Sequence, residues 1–235
     1  MYLTAHSGSD QTPENSLVFA NFFKDKKGID VIEVDVRCNP QGELVLSHDA
    51  LEKKEYVRLS ELLLILEGTT IKLNCDLKEA NLEQKVYQLA QKNNQWSQIY
   101  LSGNVSLNYL KNWPEQLLIN LENFVGHQGQ SPMWDEDDAC EKLEWLGQQG
   151  ARVINLSHLF YTERLARKGN ELELSFSLWT VDDLADIRRY QDQGIFNVTT
   201  RRAMEYLNQQ EVFRCNIYNQ DESILVFVRI FFFKH

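Results

Sequence analysis

At 235 residues, with 43% hydrophobic and 25% charged side chains, the chain suits one large globular domain. Its formal net charge of -10 argues against nucleic acid as the main partner, because holding a phosphate backbone takes a surplus of Lys and Arg. No apolar run reaches the roughly 20 residues that cross a bilayer as a helix. No charged leader with a cleavage site precedes Tyr2, and Cys38, Cys75, Cys140 and Cys215 lack CxxC spacing. A cytoplasmic protein with reduced thiols is expected.

In chain order, strands are expected at Tyr2–His6, Val31–Arg37, Leu44–Ser47, Thr70–Leu77, Ile99–Leu101, Leu117–Leu121, Arg152–Leu156, Leu174–Val181 and Phe196–Thr199. Helical spacing recurs between them. Leu82, Val86, Leu89 and Ala90 form one stripe, behind Asn81 as N-cap. Ala139, Leu143 and Leu146 form another before Gly150, and Leu184, Ile187 and Tyr190 a third before Gly194. Only Cys38 to Glu43, with Pro40 and Gly42 inside, separates the second strand from the third. A parallel crossover needs about a dozen residues, so that connection is a hairpin. Removing the hairpin arm leaves eight candidate parallel strands, and the expected fold is an α/β (β/α)8 TIM barrel. An open doubly wound sheet is the alternative, although no GxGxxG turn follows the first strand.

The barrel domain is expected over residues 1–210, followed by an apolar extension at 211–235. The run from Ile224 to Phe233 is too short to span a membrane as a helix. It reads as a strand that packs on the barrel or on a second copy, which would make the protein a homo-oligomer.

Glu33 and Asp35 are separated by one residue on an apolar strand, so both carboxylates project from one face. They repel each other and lose hydration unless a cation sits between them. On the fourth expected strand, Asn74, Asp76 and Lys78 share a face opposite Leu73, Cys75 and Leu77. The apolar set packs against outer helices, which turns the polar set inward near the C-terminal mouth, where barrel enzymes gather their catalytic groups. Three carboxylates from two strands suit a hard divalent cation, Mg2+ or Ca2+, better than zinc. His6 closes the first strand and His48 the hairpin arm, positions suited to general acid and base work near neutral pH. Lys78 can meet a phosphate oxygen as a point charge. Metal, two histidines and a lysine together describe phosphodiester cleavage.

Several short segments carry a family resemblance in order: Ala5-His6-Ser7-Gly8, Pro13-Glu14-Asn15-Ser16, Ile32-Glu33-Val34-Asp35-Val36, Gly42-Glu43-Leu44-Val45 and His48-Asp49. Leu73-Asn74-Cys75-Asp76-Leu77-Lys78 and Leu178-Trp179-Thr180-Val181 follow, then Gly194 to Arg202. Over residues 2 to about 205 the chain resembles the glycerophosphodiester phosphodiesterases, most closely in its first 80 residues. The resemblance implies a (β/α)8 barrel, a metal on Glu33, Asp35 and Asp76, and His6 with His48 as the acid–base pair. It also implies substrate contacts from Lys78, Ser7, Asn15 and Trp179, with Trp179 packing on glycerol. The implied reaction has a glycerol hydroxyl attack phosphorus to give a cyclic phosphate that water opens. Glycerol 3-phosphate and an alcohol such as choline or ethanolamine are then the products.

The chain departs from that pattern at four places. Ser7 stands where the family has Arg, and a hydroxyl cannot replace a bidentate phosphate clamp. Asp76 replaces Glu, Arg201 stands at the closing Asp, and Ala203 at the Pro. Two alternatives follow: a lyase-like relative acting on another lipid-derived diester, or an impaired barrel that only binds a phosphorylated ligand.

Overall fold

The computed structural model describes residues 1–52, 55–126 and 134–211. The described residues form nine strands: β1 (Tyr2–Ala5), β2 (Val31–Cys38), β3 (Leu44–Leu46), β4 (Lys72–Leu77), β5 (Ile99–Gly103), β6 (Leu118–Asn120), β7 (Val153–Ser157), β8 (Ser175–Trp179) and β9 (Asn197–Thr200). Eight pair in the order β5-β4-β2-β1-β9-β8-β7-β6, and their pairing within that order is parallel. A parallel bridge between Leu101 and Leu117 brings the two ends together. The sheet is a nearly closed (β/α)8 barrel, as the strand count predicts. β3 pairs antiparallel with β2, Val36 facing Leu46, so the short Cys38–Glu43 connection is the expected hairpin.

The described helices are α1 (Leu17–Phe23), α2 (Leu59–Leu66), α3 (Glu83–Lys92), α4 (Glu136–Gln148), α5 (Glu163–Glu171) and α6 (Leu184–Asp192), with residues 203–211 also helical. No α-helix lies between β5 and β6, where only short turns connect the strands. The three stripes read from spacing become α3, α4 and α6. One detail is corrected: the N-cap of α3 is Leu82, not Asn81. Asn81 takes a left-handed conformation, φ 66°, one residue outside the helix, where a capping side chain no longer serves the first turn. α1 and α2 escape a periodicity reading because Leu17–Phe23 and Leu59–Leu66 are apolar almost all round. Ser16 caps α1 through its Oγ, which accepts from the Phe19 amide at 3.1 Å.

Strand parity sorts the core into two parts. Ile32, Val34, Val36, Leu73, Cys75 and Leu77 point outward and are fully buried with Phe19, Phe23, Leu59 and Leu62 of the helices. Each such side chain contributes about 1.5–3 kcal/mol of burial as an upper estimate. Inside the barrel, Val31, Tyr100, Leu118 and Val153 form a separate apolar layer with Tyr2 and Phe196, at the N-terminal ends of their strands. Lys72 joins them, donating to the Tyr100 hydroxyl at 3.1 Å above the Tyr2 and Tyr100 rings. Above that plug the interior turns polar. Thr4 donates to Asn197, Asn197 to Ser177, and Asn74 to Ser102, all buried. The change from apolar plug to polar mouth is what makes the C-terminal end the chemical end.

Cys75 is buried, Cys38 and Cys140 are partly so, and these three are free thiols. Among the described residues no helix is long and apolar enough to cross a membrane. Nearly all of the 211–235 extension, and with it the expected strand and subunit contact, lies outside the described residues.

Candidate active site

Glu33 and Asp35 sit on one face of β2, and the register sets Asp76 of β4 directly beside Asp35. The three carboxylates offer oxygens that all lie within 4.8 Å of one another. Glu33 and Asp35 are 5% and 4% exposed, so their charges are held with little water. Three neighbours aim them. The Ser7 amide donates to Glu33 Oε2 at 3.0 Å, Asn15 Nδ2 donates to Asp35 Oδ2 at 2.7 Å, and Ser102 donates to Asp76 Oδ1 at 3.2 Å. Lys78 lies 2.8 Å from Asp35 and 2.5 Å from Asp76.

The electrostatics favour a cation. Burial pushes the Glu33 carboxyl well above the usual range, and the charges of Asp35 and Asp76 push it further. Burial opposes the Lys78 charge, yet Asp76 and Asp35 together hold that ammonium above its ordinary value. One lysine thus faces three acids. Asn74, the register partner of Glu33, keeps a buried amide oxygen with no hydrogen-bond partner among the described residues. Close hard oxygens, excess negative charge and an unpartnered carbonyl oxygen fit Mg2+ or Ca2+.

These groups line a cavity of about 560 Å³ at the barrel mouth, shared with His6, His48, Trp179 and Arg201. His6 Nδ1 lies 2.8 Å from the Ser7 carbonyl. A carbonyl only accepts, so Nδ1 carries the proton and Nε2 keeps its lone pair. Burial lowers the His6 pKa, and the Arg201 charge adds to that effect against the Ser7 carbonyl. His48 follows β3 and is exposed, its Nδ1 2.9 Å from Asp49 Oδ1. Arg37 holds this loop by donating twice to the His48 carbonyl, at 3.2 and 2.9 Å, while pairing with Glu79 at 3.2 Å.

Seven of the nine expected site residues thus come together around one cavity: His6, His48, Glu33, Asp35, Asp76, Lys78 and Trp179. Ser7 and Asn15 are not on its wall. Ser7 is 1% exposed, and its hydroxyl accepts from the Asn15 amide at 2.6 Å. Both brace the carboxylates from behind. Trp179 ends β8, and its indole N–H reaches the Asn155 amide oxygen at 3.2 Å once that amide is turned to face donors. Sequence reasoning did not give roles to Arg37, Glu79 or Arg201. For Arg201, parity on β9 carries the signal, since Asn197, Thr199 and Arg201 share the inward face.

Neither a protein-family model nor a curated protein matches the chain. Solved structures do match. A proposed glycerophosphoryl diester phosphodiesterase from Agrobacterium tumefaciens is similar at TM-score 0.74 and 12% identity, over 92% of this chain and 99% of that one. An Oleispira antarctica phosphodiesterase, solved with the product sn-glycerol-3-phosphate, gives TM-score 0.67 and 16% identity over 90% and 97%. A glycerophosphodiester phosphodiesterase from Parabacteroides distasonis gives 0.62 and 16% over 92% and 98%. The chain shares the barrel fold of these glycerophosphodiester phosphodiesterases over about nine-tenths of its length.

Proposed function

We propose that the protein is a divalent-cation-dependent phosphodiesterase that cleaves glycerophosphodiesters to glycerol 3-phosphate and an alcohol. The observation that carries this reading is the convergence of Glu33, Asp35 and Asp76 with His6 and His48 around one cavity. The fold shared with phosphodiesterases, one of them solved with sn-glycerol-3-phosphate, supports the substrate class. A binding module has no use for two histidines beside the carboxylates.

Glu33, Asp35 and Asp76 would hold the cation, with Asn74 beside them. When bound, the cation would supply Lewis acidity, easing loss of a hydroxyl proton and offsetting negative charge that builds up at phosphorus. His6 Nε2 takes the proton of the attacking glycerol hydroxyl, and the new O–P bond closes a cyclic phosphate. The P–O bond to the alcohol breaks, and His48 Nε2 donates the proton that the departing oxygen needs. In the second half the roles exchange. His48 takes a proton from water as it attacks phosphorus, and His6 returns its proton to the glycerol oxygen that leaves the ring. The Ser7 carbonyl and the Asp49 carboxylate keep both Nδ1 atoms protonated, so Nε2 does the work in each ring. Lys78 holds Asp35 and Asp76 in place, and Trp179 offers an apolar wall for the glycerol carbons.

The test is incubation with glycerophosphocholine in the presence of Mg2+ or Ca2+, with and without EDTA. Release of glycerol 3-phosphate that stops with EDTA and in His6→Gln supports the reading. Inactivity of the metal-loaded protein toward a panel of glycerophosphodiesters overturns it, and accumulation of a cyclic phosphate alone would make the protein a lyase.

A further inference from the structure

We infer that Arg201 anchors the phosphate of the substrate, a task that no group at position 7 performs in this chain; the inference rests on the phosphodiesterase reading above. Arg201 follows β9, which pairs with β1, so its backbone stands beside that of His6. Two bonds fix it there: the His6 amide donates to the Thr200 carbonyl at 2.9 Å, and the Asp10 amide to the Arg201 carbonyl at 3.1 Å. In the strand order β4-β2-β1-β9, Lys78 beside Asp76 and Arg201 stand at the two ends, with Glu33, Asp35 and His6 between them.

Charge decides which of the two cations is available. Lys78 is engaged by Asp35 and Asp76, two carboxylates against one ammonium. Two of its three N–H donors are directed at those carboxylates, which leaves at most one for a phosphate oxygen. Arg201 is the other lysine or arginine side chain on the cavity wall among the described residues. Its partner Asp182 is 3.5 Å from Nη1, and the two side chains are 50% and 41% exposed. A long, wet ion pair of that kind is worth little and exchanges readily. The remaining guanidinium donors can fork onto two phosphoryl oxygens. Ser7 cannot compete, being buried with its hydroxyl engaged by Asn15.

The experiment compares wild type, Arg201→Lys and Arg201→Gln, all with Mg2+ present. It reads KM for glycerophosphocholine, inorganic phosphate affinity by calorimetry, affinity for Mg2+ alone, and the melting temperature. Arg201→Gln should raise KM and weaken phosphate binding by about 10-fold or more, with Mg2+ affinity and melting temperature held. Arg201→Lys, which keeps the charge but not the fork, should recover part of the loss. Should Arg201→Gln fail to fold, Arg201→Lys still decides, since an anchoring role requires weaker phosphate binding than wild type. Phosphate affinity and KM within about twofold of wild type in the folded variants would overturn the inference while leaving the hydrolase reading standing. A wild type that cleaves no glycerophosphodiester but binds phosphate through Arg201 would do the reverse, and a wild type that binds no phosphate would overturn it.

Discussion

Asn15 grips Asp35 at two points: its Nδ2 donates to Asp35 Oδ2 at 2.7 Å, and its Oδ1 accepts from the Asp35 amide at 2.9 Å. Asn15 is therefore part of the carboxylate cluster although it is not on the cavity wall, which its neighbour Glu14 reaches. Asn15 has φ 50°, so Gly is the substitution that keeps its backbone. Asn15→Gly should weaken Mg2+ binding by about 10- to 100-fold, the usual cost of losing a group that orients a ligand. It should also cost about 1–3 kcal/mol of stability by stripping a buried carboxylate of its donor. Calorimetric titration with Mg2+ and urea unfolding check both; unchanged cation affinity would remove Asn15 from the site.

Gly103 ends β5 at φ 79°, next to Asp76. A Cβ there would collide with Asp76 Oδ1 and stand 2.5 Å from the Leu77 carbonyl oxygen. Gly103→Ala should cost about 1–3 kcal/mol from backbone strain and crowding. The displaced carboxylate should lower turnover at saturating Mg2+ by more than the stability loss explains. Full activity in a folded Gly103→Ala protein would mean that Asp76 does not need its present position.

His48 is 64% exposed in its side chain, so His48→Gln should leave the melting temperature within a degree or two of wild type. Its cost should fall on turnover, about 10²- to 10⁴-fold for loss of a general acid. Leaving-group chemistry separates the two histidines. A p-nitrophenyl diester, whose phenolate departs without a proton, should restore the cleavage step of His48→Gln and not that of His6→Gln. Equal rescue of both variants would contradict the assigned roles.

Much of this arrangement is legible in the sequence because strand side chains alternate. The nine strands and the hairpin stand out as short apolar runs, and parity alone brings Glu33, Asp35, Asp76 and Lys78 to one mouth. α1 and α2 are not legible, since an all-apolar segment shows no period. Ser7 and Asn15 read as substrate contacts, yet they lie behind the wall. Their bonds to Glu33 and Asp35 span 26 and 20 residues, and no local pattern reports such distances. Arg201 reads as a mismatch until β9 is placed beside β1.

Glu122 gives a pH-dependent test away from the carboxylate cluster. One of its oxygens accepts from the Ser157 amide at 2.6 Å, and the other is buried with no partner among the described residues. Burial raises its pKa above the ordinary 4.5. A carboxyl whose folded pKa is raised adds no penalty below the unfolded pKa, and it destabilises progressively as pH climbs through the folded value. Glu122→Gln keeps an acceptor for Ser157 and removes the titration. Its stability relative to wild type should therefore improve from pH 4 to pH 8 in urea unfolding, and a difference that does not change with pH would contradict the burial of an ionising group.

The most direct measurement of the central claim is a ³¹P NMR time course of glycerophosphocholine with the Mg2+-loaded protein. Conversion of the diester signal to glycerol 3-phosphate should occur, with cyclic phosphate passing through if its opening is the slower step, and it should halt on EDTA addition and in His6→Gln. A diester signal unchanged by the metal-loaded wild type, or turnover that persists in EDTA, would contradict it.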